Sequence, residues 1–283
     1  MSSPPPVQPL RCKGHTLDLS RPLVMGVLNV TPDSFSDGGR FAGTAEAIAG
    51  GLRLAQEGAA LIDVGGESTR PGAPAVEAAE ELRRVIPVIE GLRARTDALL
   101  SVDTSKPEVM AAASEAGAVL INDVRALSAP GALAAARATG CAVCLMHMQG
   151  EPRTMQADPH YTDVLAEVRA FLAARVAACR GAGFAADELL IDPGFGFGKT
   201  VAHNLTLLRG LTELGTVGPA VLVGLSRKSM LGRLTGRGAD ARVYGSVALA
   251  VIAALNGARI IRAHDVAATV DALRVVAALA EGG

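Results

Sequence analysis

The chain has 283 residues, 19% of them charged, and its 27 Lys and Arg against 28 Asp and Glu give a formal net charge of −1. That balance leaves no basic stripe for a nucleic acid, and four cysteines in this length are too few for a disulfide scaffold. The longest apolar stretch, Val247 to Leu255, falls far short of a membrane span, so the composition points to a soluble cytoplasmic protein that holds a small ligand with locally placed charges.

The first ten or so residues, beginning Met1-Ser2-Ser3-Pro4-Pro5-Pro6, lack the basic start and apolar segment of a secretory signal and read as a mobile tail, 1–10. Arg11 to Leu19 suit a short hairpin or plug. From there short apolar runs, at 23–29, 60–65, 98–103, 118–122, 141–147, 188–192, 220–225 and 258–262, read as strands buried on both faces. Helical patterns lie between them at 44–57, 77–95, 107–116, 130–139, 161–181, 202–214, 243–256 and 266–280. Several of these patterns end in Gly, the expected helix terminator, as at Gly58, Gly117, Gly140 and Gly257. Eight strand–helix repeats predict a (β/α)8 TIM barrel occupying one domain, 11–283, in preference to a doubly wound open sheet.

The strand ends are where such a barrel collects its chemistry. Here they supply Asn29; Glu67, Thr69 and Arg70; Asp103; Asn122; Met146 and His147; Asp192; Ser226, Arg227 and Lys228; and Arg262 with His264. One polar residue at a strand end can simply be leaving for solvent. Amides, acids and bases at nearly every end together favour a shared polar ligand.

Asp103, Asn122 and Asp192 suit a planar heterocycle with N–H donors along one edge, because carboxylates accept in pairs and an amide both donates and accepts. The competing role for Asp103-Thr104-Ser105-Lys106-Pro107 is helix capping, with Thr104 or Ser105 as N-cap and Pro107 in the first turn; that role is assigned to Ser105 and Pro107, and ligand contact to Asp103. Arg70, Arg262 and His264, with Asn29 nearby once strand eight closes on strand one, form a basic group fit for an oxyanion or phosphate. Pairing of Arg262 with Asp265 or Asp123 is the alternative.

Ile191-Asp192-Pro193-Gly194-Phe195-Gly196-Phe197-Gly198-Lys199-Thr200 ends like a phosphate-binding loop, but the first Gly of that motif would fall on Pro193, and the dinucleotide fingerprint would need Gly at Lys199. Its glycines are read instead as letting the backbone turn beside a flat ligand. Lys228 could form a Schiff base or donate to a heterocycle. Loops 31–42 and 66–74 are rich in Gly, Ser, Thr and Pro and suit closure over a substrate. Cys141 and Cys144 lie three apart on a strand and so point to opposite faces; they are read as core residues, with a metal site including His147 as the lesser alternative.

These segments resemble dihydropteroate synthase from about residue 22 to 280. The resemblance is carried by Asn29-Val30-Thr31-Pro32-Asp33-Ser34-Phe35-Ser36-Asp37-Gly38-Gly39, Gly65-Gly66-Glu67-Ser68-Thr69-Arg70-Pro71-Gly72, Asp103-Thr104-Ser105-Lys106 and Asn122-Asp123-Val124. It continues through Leu145-Met146-His147-Met148, Asp192 to Lys199, Ser226-Arg227-Lys228-Ser229-Met230 and Arg262-Ala263-His264-Asp265-Val266. The resemblance implies condensation of (7,8-dihydropterin-6-yl)methyl diphosphate with 4-aminobenzoate, the diphosphate leaving first. It implies a pterin site of Asp103, Asn122, Met146, Asp192, Phe197 and Lys228, and a diphosphate site of Asn29, Arg70, Arg262 and His264 with Mg2+ at Asn29. The aminobenzoate pocket would be Phe35, Thr69, Pro71, Lys228 and Ser229, with Asp33 meeting Arg70 on closure. Asp103, Lys228, Arg262 and His264 would carry the chemistry, and the enzyme would be a homodimer. Arg125 departs from the family pattern and would add a positive charge near the mouth. The runner-up is a pterin-binding methyltransferase domain of the corrinoid-dependent type, which would not need the Ser-Thr-Arg-Pro loop, the Ser-Arg-Lys-Ser segment or the Arg-x-His strand end.

Overall fold

The computed structural model describes residues 8–31, 39–68, 72–73, 75–151 and 154–281. A two-residue turn at Lys13 and Gly14, both with positive φ (37° and 85°), joins β1 (Leu10–Cys12) to β2 (His15–Leu17) in an antiparallel hairpin, because that backbone hand matches strand twist. Eight parallel strands follow: β3 (Leu23–Asn29), β4 (Leu61–Gly65), β5 (Leu99–Asp103), β6 (Leu120–Asp123), β7 (Ala142–Met146), β8 (Leu189–Asp192), β9 (Ala220–Val223) and β10 (Ala258–Ala263). They close into a barrel in chain order, with β10 hydrogen-bonded to both β9 and β3. Helices α1 (Gly39–Gln56), α2 (Ala78–Arg93), α3 (Pro107–Ala116), α4 (Ala132–Thr139), α5 (Val164–Gly181) and α6 (Val201–Arg209) follow the first six barrel strands. A short α7 (Leu211–Leu214) comes next, then α8 (Ser229–Thr235), α9 (Val243–Leu255) and α10 (Val266–Glu281).

The period of two along each strand explains both the core and the site. Ile62, Val64, Leu100, Val102, Ile121, Val143, Leu145, Ile191 and Ile261 point outward into the core shared with the helices. Met25, Leu61, Leu120, Ala142, Cys144, Leu190, Leu222 and Ile260 point inward. The next inward positions towards the strands' C-terminal ends are polar: Asp63, Ser101, Asp103, Asn122, Asp192 and Arg262. The barrel interior is therefore apolar below and polar above.

The hairpin closes the apolar end. Leu10, Cys12 and Leu19 are at most 1% exposed and pack on the inward cluster. Lys13 Nζ donates to the Ser114 carbonyl at 2.6 Å, and Arg11 pairs with Asp187 at 2.9 Å. The expected plug is present, though the expected tail reaches too far: Leu10 is buried and opens β1. Cys141 belongs to the outer core and Cys144 to the inner one, and all four cysteines are free and buried.

Three expectations near the elements are corrected. The pattern at 202–214 breaks at Gly210 into α6 and α7, and α8 forms where the sequence suggested only a strand end. Ser105 is not the cap of α3. Lys106 holds that position without a side-chain bond, Pro107 does open the helix, and the Ser105 hydroxyl donates to Asp123.

Candidate active site

Parallel pairing sets the site's floor. Asp103 and Asn122 are Cα partners across β5 and β6, and Met146 and Asp192 are partners across β7 and β8. Asn122 and Asp192 are each 5% exposed. Burial raises the carboxyls of Asp103 and Asp192, to about 7 and about 6; the Arg262 charge opposes the shift at Asp103, and the Gly194 N–H, at 2.7 Å from Asp192 Oδ1, opposes it at Asp192.

Beneath them lies Asp63, fully buried. It accepts from Ser101 Oγ at 2.6 Å, from Asn122 Nδ2 at 2.9 Å and from Arg262 Nε at 2.6 Å. Arg262 Nη2 also reaches Asp103 Oδ2 at 3.0 Å, so the guanidinium is pinned between two acids. Neither Asp265 nor Asp123 is its partner, contrary to the alternative considered. Asp265 binds Arg227, and Asp123 binds Ser105 and the backbone of Arg125 and Leu127.

Arg227, after β9, has φ 57°, a left-handed conformation unusual for a side chain of its size. Three contacts hold it there: Asp265 takes its guanidinium at 3.1 and 2.5 Å, Ser246 Oγ accepts its backbone N–H, and Arg242 Nη1 donates to its carbonyl. The turn delivers Lys228 over the Phe197 ring, with Nζ 4.1 Å from the centroid. Burial, then the Arg262 charge, lowers the Lys228 ammonium to about 8. Ser229 is the exposed first residue of α8. Met146, Met155 and Phe197, flanked by Val124 and Met148, form an apolar wall.

On the basic side His264 is lowered to about 4 by burial and then by Arg262. Its Nδ1 lies 3.1 Å from Ser226 Oγ, which accepts the His264 backbone N–H. With the serine proton turned towards Nδ1, a neutral ring carries its own proton on Nε2 and is a donor there. Asn29 ends β3 beside Gly65, partly buried. Of the expected site residues, Asp103, Asn122, Asp192, Lys228, Phe197, Met146, Arg262, His264 and Asn29 stand at the C-terminal ends of the strands or in the loops that follow them, and Ser229 opens the helix after β9. Phe35, Thr69, Arg70 and Pro71, and Asp33 with them, lie outside the described residues.

The Gly-Phe loop has its own anchor. Lys199, 3% exposed, points its ammonium back under the loop to the carbonyls of Gly194 and Phe197 at 3.0 Å, the carbonyl of His147 at 3.3 Å and His147 Nδ1 at 2.9 Å. Gly194 and Gly198 have positive φ, and a Cβ on either would overlap the backbone carbonyl oxygen of His147 or Gln149. Neither cysteine joins His147, and among the described residues no cluster of acids, His and Cys is suited to a metal.

Comparison with known proteins bears on this arrangement. A family model described as pterin binding enzyme matches residues 25–264. The dihydropteroate synthase of Escherichia coli (strain K12) is 55% identical over 269 residues, 95% of each chain. The chain belongs to the dihydropteroate synthase family. A Xanthomonas albilineans dihydropteroate synthase with 4-aminobenzoic acid superposes with a TM-score of 0.92 at 57% identity, covering 97% of this chain and 98% of that one. The same organism's synthase in complex with 7,8-dihydropteroate gives 0.87 at 54%, covering 96% and 98%. These likenesses select the synthase over the corrinoid-dependent methyltransferase reading.

Sequence reasoning missed three parts of this synthase site. Asp63 was visible as a lone acid inside Leu61-Ile62-Asp63-Val64, but it stands two residues before the strand end, where no ligand group was sought. Ser226 and Arg227 were visible as polar residues at a strand end, but their bonds to His264 and Asp265 were not, since the partners are 38 residues apart. Arg125 pairs with Glu151 at 2.6 Å and brings no free charge to the acids.

Proposed function

We propose that this chain joins (7,8-dihydropterin-6-yl)methyl diphosphate to 4-aminobenzoate, giving 7,8-dihydropteroate and diphosphate. The observation that carries the reading is the row of acceptors Asp103, Asn122 and Asp192 beside the donors Arg262 and His264, in a chain whose close relatives are dihydropteroate synthases. Asp103, Asn122 and Asp192 hold the donor edge of the pterin, Met146 and Phe197 line its face, and Lys228 donates to it across Phe197. Arg262, His264 and Arg70 hold the diphosphate. Phe35, Thr69, Pro71, Lys228 and Ser229 form the aminobenzoate pocket.

The chemistry follows from where charge appears. The diphosphate leaves with the bonding electrons of the C–O bond; Arg262 receives that negative charge electrostatically, and His264 receives it through Nε2–H. Asp103, as a carboxylate beside the ring, stabilises the positive charge spread from the methylene carbon into the pterin. The arylamine then attacks that carbon, and the proton it loses passes to the released diphosphate or to solvent. No protein nucleophile is needed, and positioning supplies much of the rate. Asn29 suits Mg2+, since its amide oxygen is a hard donor and this ion takes few protein ligands when substrate phosphates supply the rest. Bound there, Mg2+ would neutralise charge on the diphosphate.

The chain from β1 onward acts as one catalytic domain in the cytoplasm, as a homodimer. Among the described residues no helix is long and apolar enough to cross a membrane. The deciding experiment mixes the protein with Mg2+, the pterin diphosphate and 4-aminobenzoate and follows dihydropteroate. Product is expected; its absence with folded protein and fresh substrates overturns the reading.

A further inference from the structure

We infer that Asp63 is a specificity-determining positioning residue: it fixes which end of the Asn122 amide meets the substrate and so commits the barrel mouth to a ring edge made of N–H donors. The inference rests on the proposed placement of the pterin against Asp103, Asn122 and Asp192.

Asp63 is 0% exposed and sits one inward layer below Asp103. Its Oδ2 takes two donors, Arg262 Nε at 2.6 Å and Asn122 Nδ2 at 2.9 Å, and its Oδ1 takes Ser101 Oγ at 2.6 Å. A carboxylate offers only acceptors, so the Asn122 amide can satisfy it only by turning its NH2 downward. Its carbonyl oxygen is then left for the substrate. The same carboxylate holds Arg262, whose Nη2 occupies Asp103 Oδ2 and leaves Asp103 Oδ1 for the ligand. Asp192 gives Oδ1 to the Gly194 N–H and keeps Oδ2. Across β5, β6 and β8 the substrate therefore meets one acceptor oxygen from each of Asp103, Asn122 and Asp192. An amide able to rotate would accept a ring nitrogen lone pair as readily as an N–H. Asp63 removes that freedom without touching substrate.

The test compares the pterin diphosphate with an oxa analogue carrying a ring-oxygen lone pair in place of the N–H donor that meets Asn122. Wild-type enzyme is expected to discriminate against the analogue by about tenfold or more in kcat/KM, since a buried acceptor left without its donor is costly. In Asp63→Ala the ratio falls to within about threefold, while KM for 4-aminobenzoate stays within about twofold. Asp63→Asn preserves the ratio: its carbonyl takes Arg262 and Asn122 and its NH2 donates to Ser101 Oγ. Should the alanine variant not fold, Asp63→Ser carries the test, because a hydroxyl that both donates and accepts no longer dictates the amide. A merely structural Asp63 would shift the melting temperature and leave the ratio alone. An unchanged ratio in folded Asp63→Ala or Asp63→Ser, or an Asn variant that loses it equally, overturns the inference. Wild-type protein that makes no dihydropteroate defeats the functional reading instead.

Discussion

At Lys199 a single buried ammonium gathers three backbone carbonyls and a histidine nitrogen, and so shapes the loop that carries Phe197. In the sequence this lysine looked like the end of a phosphate loop; its acceptors are brought to it by the fold, so spacing alone could not reveal its task. Lys199→Met strips those carbonyls of their donor, and at about 1 kcal/mol or more for each buried orphan the unfolding free energy in urea should drop by about 3 kcal/mol. KM for the pterin diphosphate should rise, because Phe197 loses its support. Asp192, by contrast, was legible as a carboxylate ending an apolar run. Burial holds it near about 6, so it is protonated at pH 5 and ionised above pH 7. A carboxylate accepts from an N–H better than a carboxylic acid does. Calorimetric affinity for the pterin should therefore rise between pH 5 and 7, and Asp192→Asn should lose part of that rise, the remainder belonging to Asp103 at about 7. His147 works in the opposite energetic direction. Burial, then the Lys199 charge, lowers it from 6.5 to about 3. The unfolded chain then binds the extra proton, so this stability is complete above about pH 6.5 and is lost as pH falls towards 3. The urea midpoint should be lower at pH 5 than at pH 7, and His147→Gln should narrow that difference.

Among the elements, the eight strands were readable to within a residue or two because their outward positions are mostly apolar, and the polar inward positions cluster near their C-terminal ends. α8 was not readable: seven residues with Gly232 inside have too little periodicity to register, and the helix depends on Arg242 and Ser246 holding the turn before it. The hairpin was legible only as something outside the repeat. Its role lies in Leu10 and Leu19, each 1% exposed against the inward cluster at the barrel's far end. Leu19→Ala should cost about 3 kcal/mol by leaving a cavity in that cluster. Measured as kcat per folded molecule it should change turnover little, because the polar layer of Asp63 and Ser101 lies between it and the mouth. A large loss of kcat with stability intact would mean that the plug and the site are coupled.

For the whole molecule, the C-terminal pair of helices is the surface that a lone barrel does not explain. α9 is almost wholly apolar in sequence, and it packs on α10 beside β10 and β3. Tyr244 is 82% exposed, Ile252 43% and Leu255 63% on α9, with Val275 at 62% and Leu279 at 69% on α10. Single exposed apolar residues are ordinary, but five on two helices packed side by side are what an interface would cover. The pair lies on the barrel's outer wall, so a second copy could cover it without closing the mouth, and a two-fold axis would let the same patch serve both partners. Burying each of these side chains would contribute about 1–2 kcal/mol, enough together to favour association if the shapes match. The protein should therefore sediment as a dimer at micromolar concentration. Leu255→Asp with Val275→Asp places two charges per copy on the buried face and should shift the species to monomer, while the helices, whose inward residues are untouched, keep their melting temperature within a few degrees. Dimers that persist in the double variant would place the interface elsewhere; monomeric wild-type protein would show that this patch is left to solvent.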